Sequence, residues 1–205
     1  MGKTVLFMLG CLIGTGLWSC SSDDSPPPKT AQELLTEGWQ GYAGHDYQLA
    51  VDRFNAAISA DGSLADAYNG SGWANAKRDL LDASVNAFNS GLLRAPSNLQ
   101  MKAGYAFVLN ARRSTPNHYQ LSINNALAVL LADSTWKFSR DTSINASDLQ
   151  LLLAEDYFAI ADFNSSLIQA KALNAKLSTT FDADVTTTAG QTALANEIER
   201  LRTLF

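Results

Sequence analysis

A 34-residue period runs through the first half of the chain and restricts its fold more than any other feature. Gly38 and Phe54 recur as Gly72 and Phe88, each displaced by 34 positions. Small and large residues at fixed places within such a period are typical of two antiparallel helices that pack closely. A single helix pair cannot bury its apolar face, so successive copies must stack side by side. Two more positions keep a small side chain at the same displacement: Ala50 and Ala57 correspond to Ser84 and Gly91.

The period and its residues resemble the tetratricopeptide repeat (TPR), a family of paired helices that stack into a curved solenoid. The first copy covers about residues 31–64 and the second about 65–98. In the second copy Tyr68, Gly72 and Pro96 occupy the family's large, small and helix-stopping places. The resemblance implies an all-α fold, a short TPR-like α-solenoid of helical hairpins. A plain helical bundle is the alternative.

The second half of the chain continues the pattern less regularly. We predict a third repeat over about residues 99–133, with Ala106 at the small place, and a fourth over about 147–180, with Ala154 at that place. A closing helix over about residues 189–204 would cap the stack, because an open solenoid needs a terminal helix with one polar face. The second helix of repeat three is expected to run from Tyr119 to about Ala132, with three leucines available for burial: Leu127, Leu130 and Leu131.

The helical pattern stops between repeats three and four. Trp136, Phe138 and Ile144 are separated by polar residues, as in an extended segment with a period of two. The sequence therefore predicts a small extended or hairpin insertion near residues 134–146 that packs against the edge of the solenoid. Ser147 and Asp148 are expected to cap the helix that follows.

The N-terminus has the form of a secretion signal. Lys3 precedes an apolar run over residues 4–18, which is too short for a comfortable membrane span. The run ends in Leu17-Trp18-Ser19-Cys20, which resembles the lipobox of bacterial lipoproteins. The resemblance implies a signal peptide over residues 1–19, cleavage before Cys20 and lipidation of that cysteine. The alternative is that Cys20 is a spare thiol beside a conventional cleavage site.

Residues 20–30 are expected to form a flexible tether, because small polar residues and three prolines bury no apolar surface. The folded domain would then span residues 31–205. Ser21 after the cysteine resembles the outer-membrane sorting pattern of bacterial lipoproteins. These resemblances predict a protein of the bacterial cell envelope, lipid-anchored to the outer membrane, on its periplasmic side or exposed at the cell surface.

Composition and motifs argue against several function classes. The chain carries a formal net charge of −5, which disfavours nucleic-acid binding, since that depends on Lys and Arg to neutralise phosphates. The two histidines, His45 and His118, fall in predicted turns, and the sequence contains no zinc-protease, phosphate-loop or nucleophile-elbow pattern. Asp148 and Glu155 lie seven residues apart on one helix face, but we interpret them as surface charges. No catalytic residue, metal or cofactor is predicted.

An aromatic series follows the repeat and provides the candidate site. Trp39, Trp73 and Phe107 stand one residue after the small place, in two steps of 34. In TPR proteins this place faces the concave surface, so the rings would line a groove and serve as recognition anchors. The alternative is that the hairpin or the closing helix covers the groove and the rings belong to the core. The predicted partner-binding groove comprises six residues: Trp39, Tyr42, Asn69, Trp73, Lys77 and Phe107.

These observations together predict a non-catalytic interaction scaffold of the cell envelope that binds a partner protein or peptide through the concave surface. A glycan- or small-ligand-binding lipoprotein that uses the groove aromatics is the alternative.

Overall fold

The computed structural model describes residues 27–205, which contain nine helices and two short strands. The helices are α1 (Ala31–Ala43), α2 (Tyr47–Ala60), α3 (Ala65–Lys77), α4 (Leu81–Arg94), α5 (Leu99–Arg112), α6 (Pro116–Ala132), α7 (Ala146–Ala159), α8 (Phe163–Lys176) and α9 (Thr188–Arg202). Strands β1 (Lys137–Phe138) and β2 (Asp141–Asn145) pair antiparallel between α6 and α7. The chain is therefore all-α with one small hairpin, as the sequence predicts.

The first eight helices form four successive pairs: α1 with α2, α3 with α4, α5 with α6, and α7 with α8. Each second helix then packs on the first helix of the next pair. The first helices also contact one another from pair to pair, so the stack curves with α1, α3, α5 and α7 on its inner side. The predicted TPR-like solenoid is confirmed.

The glycines of the repeat occupy equivalent places in successive pairs. A Cβ atom on Gly38 would lie 2.5 Å from the ring of Phe54, and one on Gly72 would lie 2.6 Å from the ring of Phe88. Real Cβ atoms do not approach other atoms so closely. In both pairs, therefore, the aromatic ring of the second helix rests directly on the backbone of the first.

In the second, third and fourth pairs, a buried serine hydroxyl of the second helix makes the same hydrogen bond to the first helix. Ser84 Oγ donates to the carbonyl oxygen of Gly72 at 2.7 Å. Ser122 donates to Ala106 at 2.9 Å, and Ser166 donates to Ala154 at 2.7 Å. Each serine thus joins its helix to the small-residue place of the preceding helix. Ala106 and Ala154 are therefore in the register that the sequence predicts.

Two predicted helix starts are wrong by a few residues. Helix α6 begins at Pro116 rather than Tyr119, because Thr115 accepts a hydrogen bond from the amide of His118 and proline suits the first helical turn. Helix α7 begins at Ala146, capped by Asn145 rather than by Ser147 and Asp148. Asp148 instead completes a capping box, since its side chain accepts from the backbone amide of Asn145 at 2.7 Å.

The buried side chains form two apolar clusters that meet at α7. The larger cluster runs from α1 to α7 and includes the hairpin residues Trp136 and Phe138. The smaller cluster joins α7, α8 and α9, and in it α9 contributes Leu194, Ile198 and Leu201. Helix α9 therefore caps the stack as predicted.

The expectation that Leu127 and Leu131 are buried is wrong. Leu131 is 91% exposed and Leu127 is 40% exposed. Helix α6 instead buries Ile123, Ala126 and Val129, which are three residues apart and share one side of the helix.

No helix within residues 27–205 is long and apolar enough to span a bilayer. The predicted signal peptide and Cys20 lie outside the described residues.

Candidate interaction groove

The candidate site is the inner surface of the first three repeats, which we call the groove. It is formed by α1, α3 and α5, and it carries Trp39, Trp73 and Phe107 on these three helices in turn. The ring centroids of Trp73 and Phe107 are 6.2 Å apart. The repeat thus places aromatic side chains of different helices along one surface.

The hairpin of β1 and β2 lies in this groove. The ring of Phe138 stacks on Trp73, with centroids 4.1 Å apart and an interplanar angle of 19°. Its edge also meets Tyr42, at 6.0 Å and 88°. Trp73 is only 3% exposed and Phe138 is fully buried. Of the two alternatives that the sequence leaves open, the structure therefore shows the covered groove.

Polar contacts hold the tip of the hairpin against α3 and α5. Lys77 Nζ lies 3.3 Å from Asp141 Oδ2. The amide of Gln100 donates to the carbonyl oxygen of Lys137 and accepts from the backbone N–H of Ser139, both at 3.3 Å. A hydrogen bond from Ser143, supported by Lys77, lowers the pKa of Asp141, so this carboxylate is charged at neutral pH.

At the rim of repeat one, the guanidinium of Arg140 lies over the ring of Trp39, 4.5 Å from its centroid, which is a cation–π geometry. The indole Nε1 of Trp39 donates to Asp66 Oδ2 at 3.0 Å. Asn69 donates to the other oxygen of Asp66 at 3.1 Å. Asp66 therefore orients two of the predicted groove residues and lies near a basic side chain of the hairpin.

Asp66 and Gln100 were missed in the sequence analysis. They stand 34 residues apart, at the second position of α3 and of α5, and Gln32 stands at the same position in α1. The repeat that identifies the rings could also have identified this polar row. The role of this polar row was not evident from the sequence, because its residues do not bind one another. Asp66 accepts hydrogen bonds from Trp39 and Asn69, and Gln100 binds the backbone of the hairpin.

Three buried polar atoms of the groove have no hydrogen-bond partner among residues 27–205: Tyr42 Oη, Asn69 Oδ1 and Trp73 Nε1. Burial also raises the pKa of Tyr42. The hairpin thus fills the apolar volume of the groove but leaves several of its polar groups unsatisfied. Such groups are uncommon in folded proteins and are costly to bury.

The aromatic series ends in the fourth repeat, where the corresponding residue is Glu155. Its carboxylate pairs with Arg202 at 2.7 Å and lies 3.7 Å from Arg113, beside a cavity of about 200 Å³. Asn110 donates to Glu155 at 3.2 Å and to the neighbouring Asp156 at 2.7 Å. Glu155 is held in an ion-pair network and Asp148 in a helix cap, so both carboxylates have structural partners. Among residues 27–205, no group of three or more His, Cys, Asp or Glu side chains could hold a metal ion.

The structure brings the six predicted groove residues together but covers most of them. Trp39, Tyr42, Asn69 and Trp73 are buried, Phe107 is half-buried and Lys77 is exposed. Their role in binding a partner remains a prediction. Sugar stacking on Trp73 would need an open ring face, and Phe138 occupies that face.

No family model and no curated protein matches this sequence. Among solved structures, the chain is similar to a thermophilic TPR protein of Thermus thermophilus. The two share 13% identity at a TM-score of 0.49, over 85% of this chain and 100% of that one. The likeness concerns the fold alone.

Proposed function

We propose that this protein is a non-catalytic interaction scaffold of the bacterial cell envelope. Cys20 would carry lipid that anchors the chain to the outer membrane, and residues 20–30 would hold the domain off the bilayer. The inner surface of α1, α3 and α5 would bind a segment of a partner protein. The observation that carries the proposal is the groove itself, a row of aromatic and polar side chains supplied by successive repeats.

The chemistry of the groove supports binding rather than catalysis. Aromatic rings provide a large contact area at a small cost in side-chain entropy, and the polar row beside them can bind backbone amides. The hairpin supports this proposal, since Gln100 makes two hydrogen bonds to its main chain. A TPR-like stack of this kind is suited to holding another polypeptide.

The lipid anchor is tested by metabolic labelling with a palmitate analogue. The wild-type chain and a Cys11→Ala control should incorporate label and fractionate with the outer membrane. Cys20→Ala should lose both properties. Equal labelling of the Cys20→Ala chain would contradict lipidation at Cys20.

The binding surface is tested by photo-crosslinking in living cells. A photoreactive amino acid at Gln40, which lies on the groove rim near Trp39 and Arg140, should trap one partner in stoichiometric amounts. The same group at Leu131, which is 91% exposed on α6, serves as the matched control and should not trap it. Crosslinking from Leu131 alone, or from neither position, would contradict binding through the groove.

A further inference from the structure

We propose that the hairpin tip, residues 138–141, is a built-in competitor that occupies the groove until an extended partner segment of similar chemistry displaces it. The inference rests on the proposed function, since it assumes that the groove binds another polypeptide. It specifies which side chains that polypeptide must carry, and it requires the polypeptide to displace the tip of the hairpin.

The hairpin binds the groove as an extended peptide would. The ring of Phe138 stacks on Trp73 as an aromatic anchor. Gln100 hydrogen-bonds to the backbone of the residues before and after Phe138. Two side chains at the turn add charge contacts, Arg140 over Trp39 and Asp141 to Lys77. Four of the six predicted groove residues therefore already contact one short segment, as Tyr42 also touches Phe138.

The fit of the hairpin in the groove is incomplete. Within the described part of the chain, the hydroxyl of Tyr42, the side-chain oxygen of Asn69 and the indole N–H of Trp73 are buried without a hydrogen-bond partner. An occupant that offers one acceptor to Trp73 and a hydrogen-bond group to Tyr42 or Asn69 would satisfy groups that the hairpin leaves unpaired. A partner segment can therefore bind better than the hairpin while using the same surface.

The tip of the hairpin can leave the groove without unfolding the stack. The base of the hairpin is fixed separately, because Ala146 N donates to the carbonyl oxygen of Trp136 at 2.8 Å and Asn145 caps α7. Strand β1 has only two residues, and the register shifts between Lys137 and Phe138. The tip is thus held to the groove by the side-chain contacts of Phe138, Arg140 and Asp141 and by the hydrogen bond from Ser139 N to Gln100.

These contacts define the partner segment. It carries an aromatic residue for Trp73, a basic residue two positions later for the face of Trp39 and the nearby Asp66, and an acidic group for Lys77. Segments without the aromatic residue would not compete with Phe138, since they could not replace the stacked pair.

The test uses the full chain and a fluorescent synthetic peptide that copies residues 134–145. Phe138→Ala in the chain weakens its own hairpin but leaves the groove intact. We expect the peptide to bind this variant at least about tenfold more tightly than the wild type, because more of the groove is open. A peptide carrying the same Phe138→Ala change should not bind, and adding Trp73→Ala to the chain should abolish binding.

A second variant provides an independent test in case the Phe138→Ala chain does not fold. Arg140→Ala with Asp141→Ala removes only side chains at the surface and leaves Phe138 in place. It should bind the peptide more tightly than the wild type by about threefold, because the tip is held less firmly. Equal affinity of the wild type and both variants, or no binding by a variant whose circular dichroism is native, would overturn the proposal. A chain that binds the peptide but crosslinks to no envelope protein would instead overturn the proposed function.

Discussion

At the scale of single residues, the stack depends on two phenylalanines that each lie between two glycines. Phe88 is packed against Gly72 of its own pair and against Gly104 of the next, and Phe54 has the same arrangement 34 residues earlier. The glycines let helix backbones approach the ring from both sides. A side chain at any of these places would push the ring or a helix aside.

Gly72→Ala should therefore destabilise the protein by about 1–3 kcal/mol, because the new methyl group overlaps the ring of Phe88. The free energy of unfolding from urea titration measures the effect. Gly62→Ala is the matched control, since a Cβ there would meet its nearest atom at 3.7 Å. Equal stability of the two variants would contradict the packing described.

A second effect at the residue scale concerns Asp156, which is fully buried on α7. Burial raises its pKa from 3.8 to about 6, against the opposing effect of Ser122 and Asn110. Glu155 raises the pKa further and Arg113 lowers it. The folded protein thus holds a proton that the unfolded chain releases, so this group lowers stability as the pH rises from about 4 to above 6.

Asp156→Asn should accordingly stabilise the protein at pH 7.5, by roughly 1–3 kcal/mol. The gain should vanish near about pH 3, where the wild-type carboxyl is largely protonated in both the folded and the unfolded chain. Melting temperatures across this pH range measure it. Glu199→Gln, a change in an exposed ion pair, should shift stability little at either pH. A gain for Asp156→Asn that does not depend on pH would contradict the role of the buried carboxyl.

At the scale of elements, α9 protects the open end of the stack. Its Leu201 is fully buried in the smaller cluster, beside residues of α7 and α8. Leu201→Ala should cost about 2–5 kcal/mol through lost burial and a cavity. Because contacts in a solenoid are between neighbours, the effect should be local.

Hydrogen exchange measured by mass spectrometry tests this expectation. In Leu201→Ala, amides of α8 and α9 should exchange faster, whereas those of α1–α4 should keep their protection. Leu204→Ala, at a position 52% exposed, is the control and should change neither region. Uniformly faster exchange along the whole chain would show that the two clusters unfold together.

The sequence predicts the helix pairs and the hairpin, but it does not predict where the hairpin packs. The repeat predicts the helix pairs and their register, because Gly38 and Gly72 report a contact within each 34-residue unit. The alternation around Phe138 predicts the hairpin, since that pattern is also local. The place where the hairpin packs depends on contacts between residues far apart in sequence, such as Phe138 with Trp73 and Asp141 with Lys77. No periodic pattern encodes those contacts, so covered and open grooves fit the sequence equally well.

At the scale of the whole molecule, the curved stack and the hairpin pack together as one unit. The repeats supply a row of rings and a row of polar side chains on the inner face, and the insertion between repeats three and four returns to fill it. The same geometry that makes the groove suitable for a partner makes it suitable for the chain's own segment. Under the proposed function, access of a partner to the groove would depend on how often the tip of the hairpin leaves it.

The most direct test of this account is the solvent access of Trp73. Acrylamide quenching of a chain in which Trp73 is the single tryptophan, with Trp18, Trp39 and Trp136 replaced by phenylalanine, reports on that ring alone. We expect weak quenching of Trp73, increasing several-fold when Phe138→Ala is added. Strong quenching of Trp73 while Phe138 is present, unchanged by its removal, would contradict a groove covered by the hairpin.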